Sequence, residues 1–292
     1  SSGADFGEKL ANLFQSGMNT LYIKNIAVTA DIFAVIEVQS GRSVLGSLIT
    51  GTGAEGVIYL LDWLRFIDSD KWCVVPPLKL VGLNDAGEAS NYTEGIAVFF
   101  RSDKLNFTGP YVWPQGGSVA VKPGNSVTPG AYPDPWKNAL PANNFFAGQF
   151  EFFKNPQNRT GDFNYISGDY RRPFFTTFTE VTGGRVIKLM TVHPSPNSTK
   201  IAVVNSLADV VEIQRSTSQQ VVVVAGDFNI KLKSSSTTES QGYWSLINQA
   251  RFTQKISATN SSTNGVTTVK RIQLAKPGSY LTNEALDNIF VR

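Results

Sequence analysis

Val221-Val222-Val223-Val224-Ala225-Gly226-Asp227-Phe228-Asn229 is the stretch on which the fold turns. An unbroken apolar run rich in β-branched valine reads as a fully buried strand that ends at Gly226. Past that glycine the chain sets a carboxylate and an amide two positions apart. On an extended segment residues i and i+2 share a face, so Asp227 and Asn229 can point together at one ligand. The plainer alternative is an Asx-rich turn that closes a strand. The tetrapeptide recurs at Gly161-Asp162-Phe163-Asn164, where it follows a polar loop instead of a strand. That copy reads as coincidence and the one at 226–229 as a site.

Working outward, Phe174 to Glu180, Val186 to Thr191 and Gln220 to Ala225 read as strands, with a helical stretch from Ser206 to Arg215 between the last two. Tyr243 to Ala250 reads as a short helix and Leu286 to Val291 as a final strand. Toward the start, Asp31 to Val38, Trp72 to Val75 and Gly95 to Phe100 read as strands. Phe6 to Phe14 has apolar residues at helical spacing, Gly51 to Gly56 reads as a connector, and Val57 to Ile67 as an amphipathic helix with Asp62 and Arg65 outward. Residues 107–178 hold most of the prolines and many aromatics with little periodicity, a loop-rich insertion rather than a linker. Helices interleave with strands, yet several strands are spaced as hairpins, so the sheets should be mixed. A single domain over residues 1–292 is expected.

The composition excludes several classes. With 41% hydrophobic and 17% charged residues, the chain is neither disordered nor fibrous. No apolar run approaches the ~20 residues of a membrane helix. A net charge of +3 cannot support a general polyanion-binding surface, so nucleic-acid affinity would need a local groove. One cysteine, Cys73, forms no internal disulfide, and one histidine, His193, makes a multi-histidine metal cage impossible. Low charge and sequons at Asn91, Asn106, Asn158, Asn197 and Asn260 lean toward an extracellular protein.

His193 ends the apolar run Val186-Ile187-Lys188-Leu189-Met190-Thr191-Val192, where mixed sheets place reactive side chains. A structural histidine is the alternative. Glu37 interrupts an apolar strand near its end, where a carboxylate needs a cation, hydrogen bonds or exposure to water. Tyr92-Thr93-Glu94-Gly95 leads into another strand, and Asp287 opens the last one. Either acid alone could be a solvated strand start.

Together these pieces resemble the endonuclease/exonuclease/phosphatase superfamily, the deoxyribonuclease I-like metal-dependent phosphodiesterases. The matching stretches are D-I-F-A-V-I-E-V (31–38), Y-T-E-G-I-A-V-F-F (92–100), V-I-K-L-M-T-V-H-P (186–194), V-V-V-V-A-G-D-F-N (221–229) and L-D-N-I-F-V (286–291). The resemblance implies an α+β fold, a four-layer α/β/β/α sandwich of two mixed β-sheets. It implies that Glu37 binds a metal, that Glu94 orients a catalytic His193, and that Asp227 and Asn229 handle the attacking water and the scissile phosphate. Asp287 matches an aspartate that holds a second histidine, and Tyr92 a phosphate contact. The implied ion is Mg²⁺ or Mn²⁺, held by Glu37 with Asp227, since carboxylate oxygens suit hard cations. Glu94 accepting from His193 would fix its tautomer and favour an imidazolium.

Two family elements have no match: an opening strand bearing asparagine and a closing S-D-H with the second histidine. Another segment of the polypeptide or a partner's strand is expected to complete the sheets, beside an open slot bordered by Asp227 and Asp287. Residues 1–292 alone are then expected to lack phosphodiesterase activity. The substrate would be nucleic acid or another phosphodiester, most simply for an extracellular nuclease. Trp113, Trp136, Tyr111, Tyr132, Phe145, Phe146 and Arg171-Arg172 could line a groove for bases or sugars, or form a minor core beneath the loops. The rival reading is a non-catalytic member of the fold, a binding or structural module in a secreted or particle-bound assembly. An unrelated carbohydrate-binding module is a third.

Overall fold

The computed structural model describes residues 25, 29–39, 48–78, 94–109, 134–140, 171, 173–196, 200–209, 217–230, 242–256 and 286–292. Their strands form two sheets. The first is antiparallel, with β1 (Ile32–Gln39), β3 (Glu94–Arg101) and β2 (Trp72–Val75) side by side in that order. The second runs β4 (Leu105–Gly109), β5 (Phe174–Glu180), β6 (Val186–Val192), β7 (Gln220–Asp227), β9 (Asp287–Val291), β8 (Thr253–Gln254). It is mixed: β6 and β7 are parallel and the other pairs antiparallel.

Side-chain alternation sorts the second sheet into two faces. Phe174, Phe178 and Leu189 belong to a core shared with the first sheet, while Phe175, Met190, Val222, Val224 and Phe290 belong to a separate core behind it. Phe178 meets Phe100 of β3 at 5.1 Å between ring centroids, which docks one sheet on the other. On the far side of the first sheet lies α1 (Thr52–Ile67), packed on β1 and β2. Behind the second sheet lie α2 (Lys200–Ser206), the 3₁₀ turn Leu207–Asp209 and the π-helical turn Ser245–Gln249, contributing Val203, Val204, Leu207 and Leu246. Helix, sheet, sheet, helix is the expected four-layer sandwich.

Several local expectations change. The connector expected at 51–56 is mostly helix. Gly53 opens α1 against β1, where a Cβ would lie 2.0 Å from the Gln39 carbonyl oxygen, so glycine serves close packing there. Buried Ala54, Val57, Leu60, Leu61 and Leu64 then follow at helical spacing. Of the helical stretch expected from 206 to 215, residues 206–209 are helical, the helix already begins at Lys200, and 210–215 lie outside the described residues. Trp136 is fully buried and donates from Nε1 to the Ile49 carbonyl at 2.7 Å, which makes it core and not groove.

The open slot expected beside Asp227 and Asp287 does not separate them. Those residues are direct cross-strand partners in β7 and β9, and β8 covers the other edge of β9. In the first sheet β1 pairs only with β3 among the described residues, and Ile32 through Ile36 are half-buried. No strand from elsewhere is seen along its outer edge among those residues.

Candidate active site

The Gly-Asp-Phe-Asn turn is built from three constraints. Gly226 adopts φ +145°, and a Cβ there would lie 1.9 Å from the Val192 carbonyl oxygen, its parallel-strand partner. Only glycine lets β6 and β7 close up at this end. Phe228 is fully buried against Tyr243 and Phe290, with ring centroids 5.4 Å away in each case. Asn229 sits at φ +53°, a left-handed conformation that asparagine tolerates better than most residues.

That conformation alters the expected geometry. The segment is no longer extended at Asn229, so the two side chains do not project side by side. Asp227 Oδ1 instead accepts from the Asn229 backbone N–H at 2.7 Å, and Asn229 Nδ2 donates to the Pro194 carbonyl at 2.9 Å. The Asx turn and the site are therefore one object. It leaves Asp227 Oδ2 outside the turn and ties the loop after β7 to the residue that follows His193.

Glu37 reaches the same place through a bulge. Between Val35 and Val38, β1 gains one residue relative to Ala97 and Gly95 of β3, and Glu37 takes φ +61°. A bulge re-aims a side chain. The Glu37 carboxylate, 60% exposed, comes within 3.5 Å of His193 Nε2. Glu94, at the first position of β3, is buried, and its Oε1 lies 3.1 Å from His193 Nδ1. His193 is 5% exposed and stands just past β6. The Glu94–His193 hydrogen bond thus bridges the two sheets at one rim of the sandwich.

Arg171 enters that rim as well. Its Nη1 lies 3.0 Å from His193 Nε2 and 3.4 Å from Nδ1, and its Nε lies 3.5 Å from Glu94 Oε1. The sequence reading placed Arg171 among residues lining an aromatic groove; here it is part of the histidine–carboxylate cluster. A guanidinium has only donors, so its contact with Nε2 requires a lone pair there. With Glu94 Oε1 beside Nδ1, the contacts match Nδ1 as the donor to Glu94 and Nε2 as the acceptor from Arg171.

Asp227 lies within electrostatic reach of Asp287, His193 and Glu37. Burial pushes its carboxyl above the ordinary value, and the negative charges of Asp287 and Glu37 act in the same direction, while the Asn229 amide opposes them. Behind it, burial also pushes the Tyr243 phenol up, so this hydroxyl stays protonated. Among the described residues no three Asp, Glu, His or Cys side chains form a ready-made cage for a metal. Mg²⁺ needs none, because it keeps several waters and takes one or two carboxylates plus substrate oxygens. Glu37, exposed and aimed at the rim, and Asp227, with its crowded negative neighbours, suit such a hard cation.

Glu37, Glu94, His193, Asp227, Asn229 and Asp287 are therefore gathered at one rim by strand ends from both sheets. Tyr92, Asp162, Asn164 and most of the aromatic insertion fall outside the described residues. No family model and no curated protein matches the sequence. Solved structures do resemble it. An endonuclease/exonuclease/phosphatase family protein from Bacteroides thetaiotaomicron is 12% identical at a TM-score of 0.46, over 93% of this chain and 73% of that one. A mannosyl-6-phosphatase of the same species is 11% identical at 0.46, over 93% and 75%. Danio rerio TDP2, solved with a single-strand DNA product, is 11% identical at 0.42, over 95% and 79%.

Proposed function

We propose that this chain is a divalent-metal-dependent phosphodiesterase, most simply an extracellular nuclease. The observation that carries the reading is the buried Glu94–His193 pair bridging the sheets, with Glu37 and Asp227 beside it. Four ionisable side chains brought to one rim from separate strands meet the geometric demand of general acid–base chemistry. Glu37 and Asp227 would hold Mg²⁺ or Mn²⁺, which when bound supplies Lewis acidity toward the phosphate oxygens.

The chain's own residues account for the rest. Asp227 has an oxygen left outside the Asx turn, where it can orient or deprotonate an attacking water. Asn229, held by its bond to Pro194, fixes that loop and retains a side-chain oxygen. Glu94 sets the ring orientation of His193 and leaves Nε2 toward Glu37 and the rim. Asp287, opposite Asp227 across the ladder, keeps negative charge on the site floor.

The test is hydrolysis of plasmid DNA and of bis(4-nitrophenyl) phosphate with Mg²⁺ or Mn²⁺, with and without EDTA, by residues 1–292 and by the full gene product. Chelator-sensitive cleavage that falls about 10²–10⁴-fold in His193→Ala supports the reading. A full product that hydrolyses neither compound, and no RNA, favours the non-catalytic binding module instead. Recovery of the protein from the medium of its native host would support the extracellular assignment.

A further inference from the structure

Arg171 is the feature of the rim that the catalytic reading leaves without a task. Its side chain is 13% exposed, and its Nε stands against Glu94 Oε1, the oxygen that also accepts from His193. The other Glu94 oxygen, Oε2, is buried and has no hydrogen-bond partner among the described residues. One guanidinium therefore sits in a confined space with Nε near a carboxylate and Nη1 at 3.0 Å from Nε2 of His193. A neutral ring nitrogen is a modest acceptor for such a cation. A phosphate oxygen is charged, accepts bonds about twice as strong, and matches the guanidinium fork in two places.

We propose that Arg171 is a phosphate-binding residue stationed on His193, and that an incoming phosphate group takes over its Nη1 donor. The exchange rests on the reading of this rim as a phosphoester site. Nε keeps its place by Glu94 while Nη1 turns from the imidazole to the ligand. The same movement frees the Nε2 lone pair to accept from a water beside the bound phosphate. Without ligand, Nη1 stays on Nε2 at 3.0 Å, nearer than the Glu37 carboxylate at 3.5 Å. Arg171 thus links substrate arrival to the availability of the histidine. The ligand could be free phosphate or the phosphate of a diester; both present the chemistry the fork recognises.

His193 is the sole histidine, so its ring nitrogens give an unambiguous NMR signature. The experiment uses the full chain labelled with ¹⁵N-histidine, in EDTA at one fixed pH, titrated with inorganic phosphate and separately with dimethyl phosphate, with sodium chloride as the ionic-strength control. Phosphate should move the Nε2 resonance saturably while leaving Nδ1–H on Glu94, and chloride should not. Arg171→Gln should weaken that binding about tenfold or more, and Arg171→Lys, which keeps charge without the fork, by a smaller factor. Response to both titrants assigns a general phosphate subsite, and response to dimethyl phosphate alone assigns a diester subsite; either supports the proposal.

An Nε2 resonance indifferent to both titrants in the unmodified chain overturns it. So does unchanged affinity in Arg171→Gln. If that variant fails to fold because Glu94 loses its cation, Arg171→Lys decides: binding as tight as in the unmodified chain refutes the fork. The assay needs no turnover. A protein that binds phosphate through Arg171 and hydrolyses nothing would retain this inference and lose the phosphodiesterase, and an active enzyme with indifferent Nε2 would do the reverse.

Discussion

Replacing Gly226 by alanine should damage the fold and the site together. The added Cβ would lie 1.9 Å from the Val192 carbonyl oxygen and 3.0 Å from its backbone carbon and nitrogen. Those are backbone atoms with no side-chain rotation to absorb the contact, so β6 and β7 must part by roughly 1 Å at this end to restore van der Waals separation. Alanine must also accept φ near +145°, a region that costs an L-residue about 1–3 kcal/mol. Strain and overpacking together put the loss at about 3 kcal/mol or more, roughly 6 °C in Tm for a chain of this size. The control is Gly184→Ala: φ there is +66°, but nothing lies within 4 Å of the added carbon, so it carries conformational strain without the clash. Chemical denaturation of both variants separates the two contributions. If Gly226→Ala is no less stable than Gly184→Ala, the close approach of β6 and β7 is not what requires glycine, and this account of the Gly-Asp-Phe-Asn turn fails.

Two further substitutions test the electrostatics and the core. Asp227 has its carboxyl displaced above the ordinary value of 3.8, so the folded state holds that proton more tightly than the unfolded chain does. The stability it contributes is complete below the unfolded value and is lost as pH rises through the folded one. Asp227→Asn should therefore raise Tm at neutral pH while abolishing hydrolysis. A tenfold change in proton affinity is worth about 1.4 kcal/mol, and partial exposure reduces it, so the gain is on the order of 1 kcal/mol or less. It should shrink on acidification toward about pH 3, and a variant less stable than the parent at neutral pH would contradict the assignment. Trp136→Ala should cost about 3–5 kcal/mol by urea denaturation, since it empties a buried indole site and strands the Ile49 carbonyl. A loss under about 1 kcal/mol would return Trp136 to the surface groove.

What the sequence disclosed and what it concealed follow from the range of the forces involved. The strands β5, β6 and β7 were legible because each is an apolar run whose neighbours do not change its preference. The start of the helix at Lys200, ahead of the expected Ser206, is hidden because Ile201, Val203 and Val204 are β-branched and become helical by packing on the rear core. The strand β4 was overlooked at the edge of a proline-rich region, although Leu105 and Phe107 alternate with more exposed Asn106 and Thr108. Glu37, Glu94, His193, Asp227 and Asp287 could be named because each sits at a strand end. The bulge that turns Glu37 inward leaves no local signal, since one extra residue in β1 has meaning only against the register of β3. Arg171 was visible only as a charge in a loop-rich tract; its contact with a histidine on another strand exists only in three dimensions.

The placement of these residues also explains why the rim couples stability to chemistry. Glu94 belongs to the first sheet and His193 to the second, and both are 5% exposed. Their hydrogen bond can exist only if the sheets dock at the separation set by Phe100 and Phe178, whose rings lie 5.1 Å apart across the interface. A buried polar pair spanning an apolar interface tolerates little sliding, because losing one partner leaves the other desolvated and unsatisfied. Arg171 adds a third member to that pair, so its charge holds the cluster together when no ligand is present. Sheet docking, the orientation of the imidazole and the resting position of the guanidinium are therefore one condition, and a substitution in the aromatic interface should disturb the histidine without touching the rim.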